Sequence, residues 1–150
     1  MKLSKFSEEG LITFDLKATS KSKAIEELVE LASKSKLITD KELLLKDIIT
    51  RENLVTTGVG YGVAFPHAKT RATRGIVIAF GRSNHGVEFE AMDKKPVNLV
   101  FLIAAPEDAI GAHLKVMAHL SYIMKSEVNR QKLMAVKSPG ELLQIIDTID

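Results

Sequence analysis

The chain of 150 residues carries no cysteine. That absence excludes disulfides, thiolate metal sites and a cysteine nucleophile. Long apolar runs are missing as well. The longest, residues 97–105, is interrupted by Asn98 and is strand-sized, far short of the roughly 20 residues that span a bilayer. The first ten residues hold no apolar core of a signal peptide. Together these absences lead to the expectation of a cytoplasmic protein with no direct membrane insertion. Charge of one sign is never concentrated: the formal net charge is +2, and no clustered basic face of the kind nucleic-acid binding needs is present. The densest basic stretch, Lys69-Thr70-Arg71-Ala72-Thr73-Arg74, reads either as a solvated loop or as a contact surface for an acidic partner. The histidines show no recognised metal-ligand spacing, and the glycine-rich segment lacks the Gly-Lys-Ser/Thr ending of a phosphate-binding loop. Neither a metal nor a cofactor is expected.

What the chain does have is the composition of a folded protein, with 45% apolar and 27% charged residues. Its length suits a single domain over residues 1–150. Residues 11–14 read as a short strand. Apolar residues at helical spacing mark a first helix over residues 24–32, with Ser20 or Ser22 as cap. Thr39-Asp40-Lys41-Glu42 has the form of a capping box and opens a second helix bearing Leu43, Leu44, Ile48 and Ile49, ending near Arg51.

The texture then changes. Glycine at 58, 60 and 62 rules out a stable helix and leads into Val63-Ala64-Phe65-Pro66-His67. Residues 76–80, bounded by Gly75 and Gly81, form a continuous apolar run, the mark of a fully buried strand. Val87 and Phe89 alternate with glutamates, as on a half-buried strand. Asp93-Lys94-Lys95-Pro96 is turn chemistry, and residues 97–105 form a second buried strand stopped by Pro106. The last third is helical. A helix from His113 to about Met124 carries Leu114, Met117, Ala118 and Ser121 along one side, and a shorter helix covers residues 128–136. Ser138-Pro139-Gly140-Glu141 opens a third helix, with Leu142, Leu143, Ile145, Ile146 and Ile149 following at helical spacing. Helices, then buried strands, then helices predict an α/β fold: a single mixed β-sheet flanked by helices on both faces.

Three residues stand out for chemistry. His67 follows a proline at the end of an apolar strand, where a stiff backbone would present a nucleophile that titrates near neutrality; the plain alternative is a histidine bonded only to local backbone. Arg51 can bind phosphate oxygens bidentately, or simply suit a helix C-terminus. His113 falls near a helix start after a buried strand, a place where sites collect, or is merely a polar residue there. His119 lies six positions further along the helix and is expected to face elsewhere. His85 sits beside Gly86 in a loop and is assigned no role.

Arg51-Glu52, a spacer, then Gly60-Tyr61-Gly62-Val63-Ala64-Phe65-Pro66-His67 closely resembles the signature of the type-2 enzyme IIA domains of the phosphoenolpyruvate-dependent sugar phosphotransferase system. That family includes fructose- and mannitol-specific proteins and a nitrogen-regulatory branch. The likeness continues through Gly86-Val87-Glu88-Phe89, Pro96 to Leu102, and His113-Leu114. Phe65 departs mildly, being bulkier than the family's usual valine or isoleucine. The resemblance implies a phosphotransferase component in which His67 accepts a phosphoryl group from the histidine phosphocarrier protein and passes it to a sugar-specific IIB domain of a permease. It implies that Nε2 is the phosphorylated nitrogen, that Arg51 stabilises the phosphate, and that His113 supports His67. An apolar rim for docking is expected, with Val59, Phe65 and Ala68 as contributors. Two rivals remain at this point: a regulatory, phosphorylation-dependent binding module, and a small-molecule enzyme using His67 and His113 as an acid–base pair. A deep pocket would favour the latter and an open depression would not.

Overall fold

The computed structural model describes residues 1–148; Ile149 lies outside them. Its centre is an antiparallel pair of long strands, β5 (Val77–Val87) and β6 (Val97–Ala105). Along β6, Leu99, Phe101 and Ile103 enter one core while Val100, Leu102 and Ala104 enter the other. Both sets are apolar because both faces are covered. The mixed six-stranded sheet has the order β1-β5-β6-β3-β2, with β4 also paired to β6. Here β1 is Ile12–Thr13, β2 Gly58–Gly60, β3 Val63–Ala64 and β4 His67–Lys69. Strands β3 and β4 run one after the other along the same edge of β6, both parallel to it.

Helices α1 (Lys21–Ala32) and α2 (Lys41–Glu52) cover one face. Helices α3 (Ile110–Lys125), α4 (Glu127–Ala135) and α5 (Pro139–Thr148) accompany the other. The predicted mixed sheet between helical layers is therefore present. The two cores differ in grain. Alanines 64, 68, 79 and 104 line the α1/α2 side, so those helices approach closely. Phe65, Phe80 and Phe101 fill the α3–α5 side, Phe80 and Phe101 with ring centroids 5.0 Å apart; each such buried ring contributes about 1.5–3 kcal/mol through burial alone.

Local signals fixed several boundaries. Ser138 Oγ accepts from the Glu141 backbone N–H at 3.2 Å, so α5 begins where its N-cap serine and first-turn proline indicate. The capping box is shifted by one: Asp40, not Thr39, caps α2, accepting from the Leu43 N–H at 3.0 Å, while Thr39 Oγ1 donates to the Ala72 carbonyl. Helix α1 starts at Lys21, earlier than its apolar residues suggest, and neither Ser20 nor another side chain caps it. The N-terminal strand is only Ile12–Thr13, preceded by a 3-10 turn over Glu9–Leu11.

Three sequence expectations fail for non-local reasons. Gly81 does not end its strand. A Cβ there would sit 2.9 Å from Leu28 Cδ2 of α1, so the glycine marks close helix–sheet approach while β5 continues to Val87. Phe89 is fully buried but lies beyond the strand. On α3 the buried stripe is His113, Val116, Leu120 and Ile123, one position off the stripe drawn from sequence. Leu114 is 63% exposed.

Candidate functional site

Strand β4 exists because the chain runs alongside β6 twice. Phe65 N–H donates to the Thr57 carbonyl at 3.1 Å, and the Pro66 carbonyl accepts from Ile103 N–H at 3.0 Å. Pro66 has no N–H to offer; it occupies the link between β3 and β4, outside both strands. The ladder then resumes with His67 opposite Ile103, Ala68 opposite Ala104 and Lys69 opposite Ala105. This puts His67 at the C-terminal end of β6, just before the chain turns into α3. The turn between β2 and β3 is held by Tyr61 (φ 61°) and Gly62 (φ 75°), positive at both positions as a tight hairpin turn requires.

Three elements converge on an open depression of about 520 Å³ at this sheet edge. Helix α2 brings Asp47, Thr50 and Arg51, β4 brings His67, Ala68 and Lys69, and α3 brings His113 and Leu114. The three residues singled out from sequence are thus brought together. The His67 and His113 rings have centroids 5.3 Å apart, tilted by 45°. Arg51 Nη1 donates to the Val55 carbonyl at 3.1 Å, which steadies the guanidinium beside the depression.

His67 Nδ1 lies 2.7 Å from the Phe65 carbonyl oxygen. A carbonyl only accepts, so Nδ1 carries the hydrogen and Nε2 keeps its lone pair. His113 is 6% exposed and its Nδ1 is buried without a partner. Leaving a lone pair unmatched there is cheaper than burying an unmatched N–H, which favours the tautomer with the hydrogen on Nε2.

Burial is the main force lowering the His67 pKa from its ordinary 6.5. The Phe65 hydrogen bond and the Glu52 carboxylate oppose it, while the Arg51 and Lys69 cations add to it. His113 is also lowered, first by burial, then by His67 and Lys69. Both rings are therefore neutral at pH 7.

A folded pKa below the unfolded one means that the unfolded chain binds more protons in between. The associated stability is full above pH 6.5 and is lost as pH falls through the lowered folded values. The urea midpoint should drop between pH 7.5 and pH 5.5, and the drop should shrink in His67→Gln. An equal drop in both proteins would contradict the linkage.

The fastening behind the site was not read from sequence as a role. Glu52, 3% exposed, accepts from Thr57 N–H at 2.7 Å and Thr57 Oγ1 at 2.6 Å. Lys21 Nζ lies 3.3 Å from its carboxylate. This knot ties the end of α2 to the start of β2. Thr70 Oγ1 likewise donates to Asp47 at 2.7 Å, pinning α2 beyond β4.

The expected rim needs correction. Phe65 is 2% exposed and stacks on Phe101 at 5.8 Å, because it faces the α3–α5 core. Val59 does not line this depression. The exposed apolar residues that do are Leu54 and Leu114; Ala68 lines it but is nearly buried. His119 lies along a different depression with Met1 and Tyr122. His85 falls in the irregular last stretch of β5, not in the expected loop, and its Nδ1 bonds to Ser83 Oγ and the Gly86 carbonyl.

A mixed sheet presenting a neutral histidine between a second histidine and an arginine narrows the class of protein, and similarity to known proteins settles the family. The profile of the family described as "Phosphoenolpyruvate-dependent sugar phosphotransferase system, EIIA 2" matches residues 5–149, and the chain belongs to that family. It is 38% identical over 136 residues to the fructose-specific EIIA component of Haloferax volcanii, covering 91% of this chain and 88% of the relative. It is 35% identical over 150 residues to the fructose-specific EIIABC component of Bacillus subtilis, covering 100% of this chain but spanning only 24% of that protein's length. The crystal structure of nitrogen regulatory protein IIA-Ntr from Neisseria meningitidis superposes with a TM-score of 0.88 at 32% identity, covering 96% of this chain and 98% of that one. Among the described residues, no helix is long and apolar enough to cross a membrane.

Proposed function

We propose that this protein is a cytoplasmic phosphohistidine carrier in fructose- or mannitol-type sugar uptake. In this reading His67 accepts a phosphoryl group from the histidine phosphocarrier protein and hands it to a sugar-specific IIB domain. The observation that carries it is the hydrogen bond from His67 Nδ1 to the Phe65 carbonyl, which leaves the lone pair on Nε2 of a histidine that shares a depression with Arg51 and Lys69.

In the first half-step the Nε2 lone pair attacks phosphorus. The P–N bond of the donor phosphohistidine breaks, and its electron pair returns to the donor ring. His67 then carries positive charge with its Nδ1–H still held by Phe65, and it is in turn the leaving group when a IIB side chain attacks. Catalysis consists of positioning and charge neutralisation. Arg51 supplies a planar fork for phosphoryl oxygens, and the His113 Nε2–H supplies a further donor. The open depression, with Leu54 and Leu114 at its edge, suits a docking protein better than an enclosed small-molecule reaction.

The test is incubation with phosphoenolpyruvate, enzyme I and the histidine phosphocarrier protein, followed by intact mass measurement and a chase with IIB domains. One added phosphate that a IIB domain removes supports the reading; no added phosphate sinks it. A second reading, a phosphorylation-dependent regulatory module, is favoured by the likeness to IIA-Ntr. It predicts labelling without discharge to any sugar IIB domain.

Arg51→Ala should slow transfer while leaving the fold intact. Loss of one charge-assisted contact is worth about 1.5–3 kcal/mol, or roughly ten- to hundred-fold in rate. A normal rate in a folded variant, checked by circular dichroism, would reduce Arg51 to a helix-end residue.

A further inference from the structure

Strand β4 alternates like any other. His67 and Lys69 stand two positions apart and project from the same face, while the Ala68 side chain enters the α1/α2 core. Lys69 is exposed and lines the depression that holds His67, Arg51 and His113. It is surrounded by opportunities to pair that it does not take. Glu107 lines the same depression, but its carboxylate is engaged by Arg71 Nε at 3.0 Å. Asp47 also lines it and is held by the Thr70 hydroxyl. Among the described residues Lys69 makes no ion pair. Arg51, in contrast, already has one donor committed to the Val55 carbonyl.

We propose that Lys69 is a second catalytic cation, whose ammonium contacts the phosphoryl oxygens during transfer onto and off His67 Nε2. The inference rests on the phosphohistidine reading and deepens it. A phosphoryl group carries close to two negative charges, more than one guanidinium neutralises. A lysine on a flexible stem can follow the group as it moves between proteins, whereas Arg51 is fixed by its backbone bond. The field of Lys69 already reaches both rings, since it helps lower the pKa of His67 and of His113.

The rival role for Lys69 is a docking contact with an acidic partner. A donor without a docking surface separates the two. Phosphoramidate can label the histidine directly: its P–N bond breaks as the Nε2–P bond forms, and the electron pair leaves with the amine, released as ammonia after taking a proton from solvent. Labelling of His67 by phosphoramidate, followed by intact mass, is compared for wild type, Lys69→Gln and Lys69→Arg. The expected result is about tenfold slower labelling in Lys69→Gln, the value of one charge-assisted contact, with Lys69→Arg within about threefold of wild type because its charge is kept. Nuclear magnetic resonance titration of the unphosphorylated proteins should show the His67 midpoint moving up in Lys69→Gln, a readout independent of phosphoryl chemistry. Equal labelling of wild type and Lys69→Gln by phosphoramidate overturns the inference, even where the carrier protein labels the variant slowly, because that pattern is docking. A wild type that takes no phosphoryl group from any donor removes the carrier reading and this inference together, a result distinct from equal labelling.

Discussion

Glu52→Ala should destabilise the protein by about 3–5 kcal/mol, the usual cost of removing one partner from a buried ion pair. Glu52 is 3% exposed and serves three groups at once: Thr57 N–H, Thr57 Oγ1 and Lys21 Nζ. Truncation strands all three. The Lys21 side chain, only 17% exposed, would keep Glu90 at 3.6 Å as its remaining carboxylate, but Glu90 is largely solvated and recovers little. Against a typical total of about 5–15 kcal/mol the loss is large. Glu52→Gln keeps one acceptor for Thr57 and should lose less. Urea denaturation followed by circular dichroism reads both. A loss below about 1 kcal/mol for Glu52→Ala would show that the knot between α2 and β2 is not what holds the approach to His67.

His67→Ala should abolish phosphorylation by the carrier protein while leaving a folded domain. The ring is half-buried and makes one hydrogen bond, to Phe65, so its loss costs about 0.5–1.5 kcal/mol of stability, too little to unfold the chain. No other histidine can take over. His113 is 6% exposed and carries its hydrogen on Nε2, so neither ring nitrogen offers an accessible lone pair, and His85 and His119 lie elsewhere. Labelling of His67→Ala at the wild-type rate would move the nucleophile to another residue.

Much of the fold was legible because its signals are local. Ser138-Pro139 announces α5 in adjacent residues, and the apolar runs of β5 and β6 announce double-sided burial directly. What was not legible depends on distant partners. Gly81 looks like a strand end until Leu28 of α1 is seen above it. The stripe on α3 was misplaced by one residue because Leu114 is apolar yet exposed, and only the geometry of the depression explains its presence there. Phe65 lies on the same side of the chain as Val63 and turns inward onto Phe101; its place in the core rather than at the rim depends on α3 to α5 covering that face, which no local signal shows. His67, Arg51 and His113 come from three separate elements, and no periodicity relates them. Their grouping was readable only through the family resemblance, and the sheet edge supplies its physical reason. Glu52 was visible as part of the signature, but its work as a buried acceptor required Thr57 and Lys21 to be seen around it.

The central claim is that phosphate resides on one named atom, and phosphorus–proton correlation spectroscopy of the phosphorylated wild-type protein tests it most directly. The Phe65 carbonyl holds the hydrogen on Nδ1, so coupling should connect phosphorus to the ring of His67 through Nε2, with both carbon-bound ring protons coupled. Phosphorus coupled through Nδ1, or found on His113, would contradict the account.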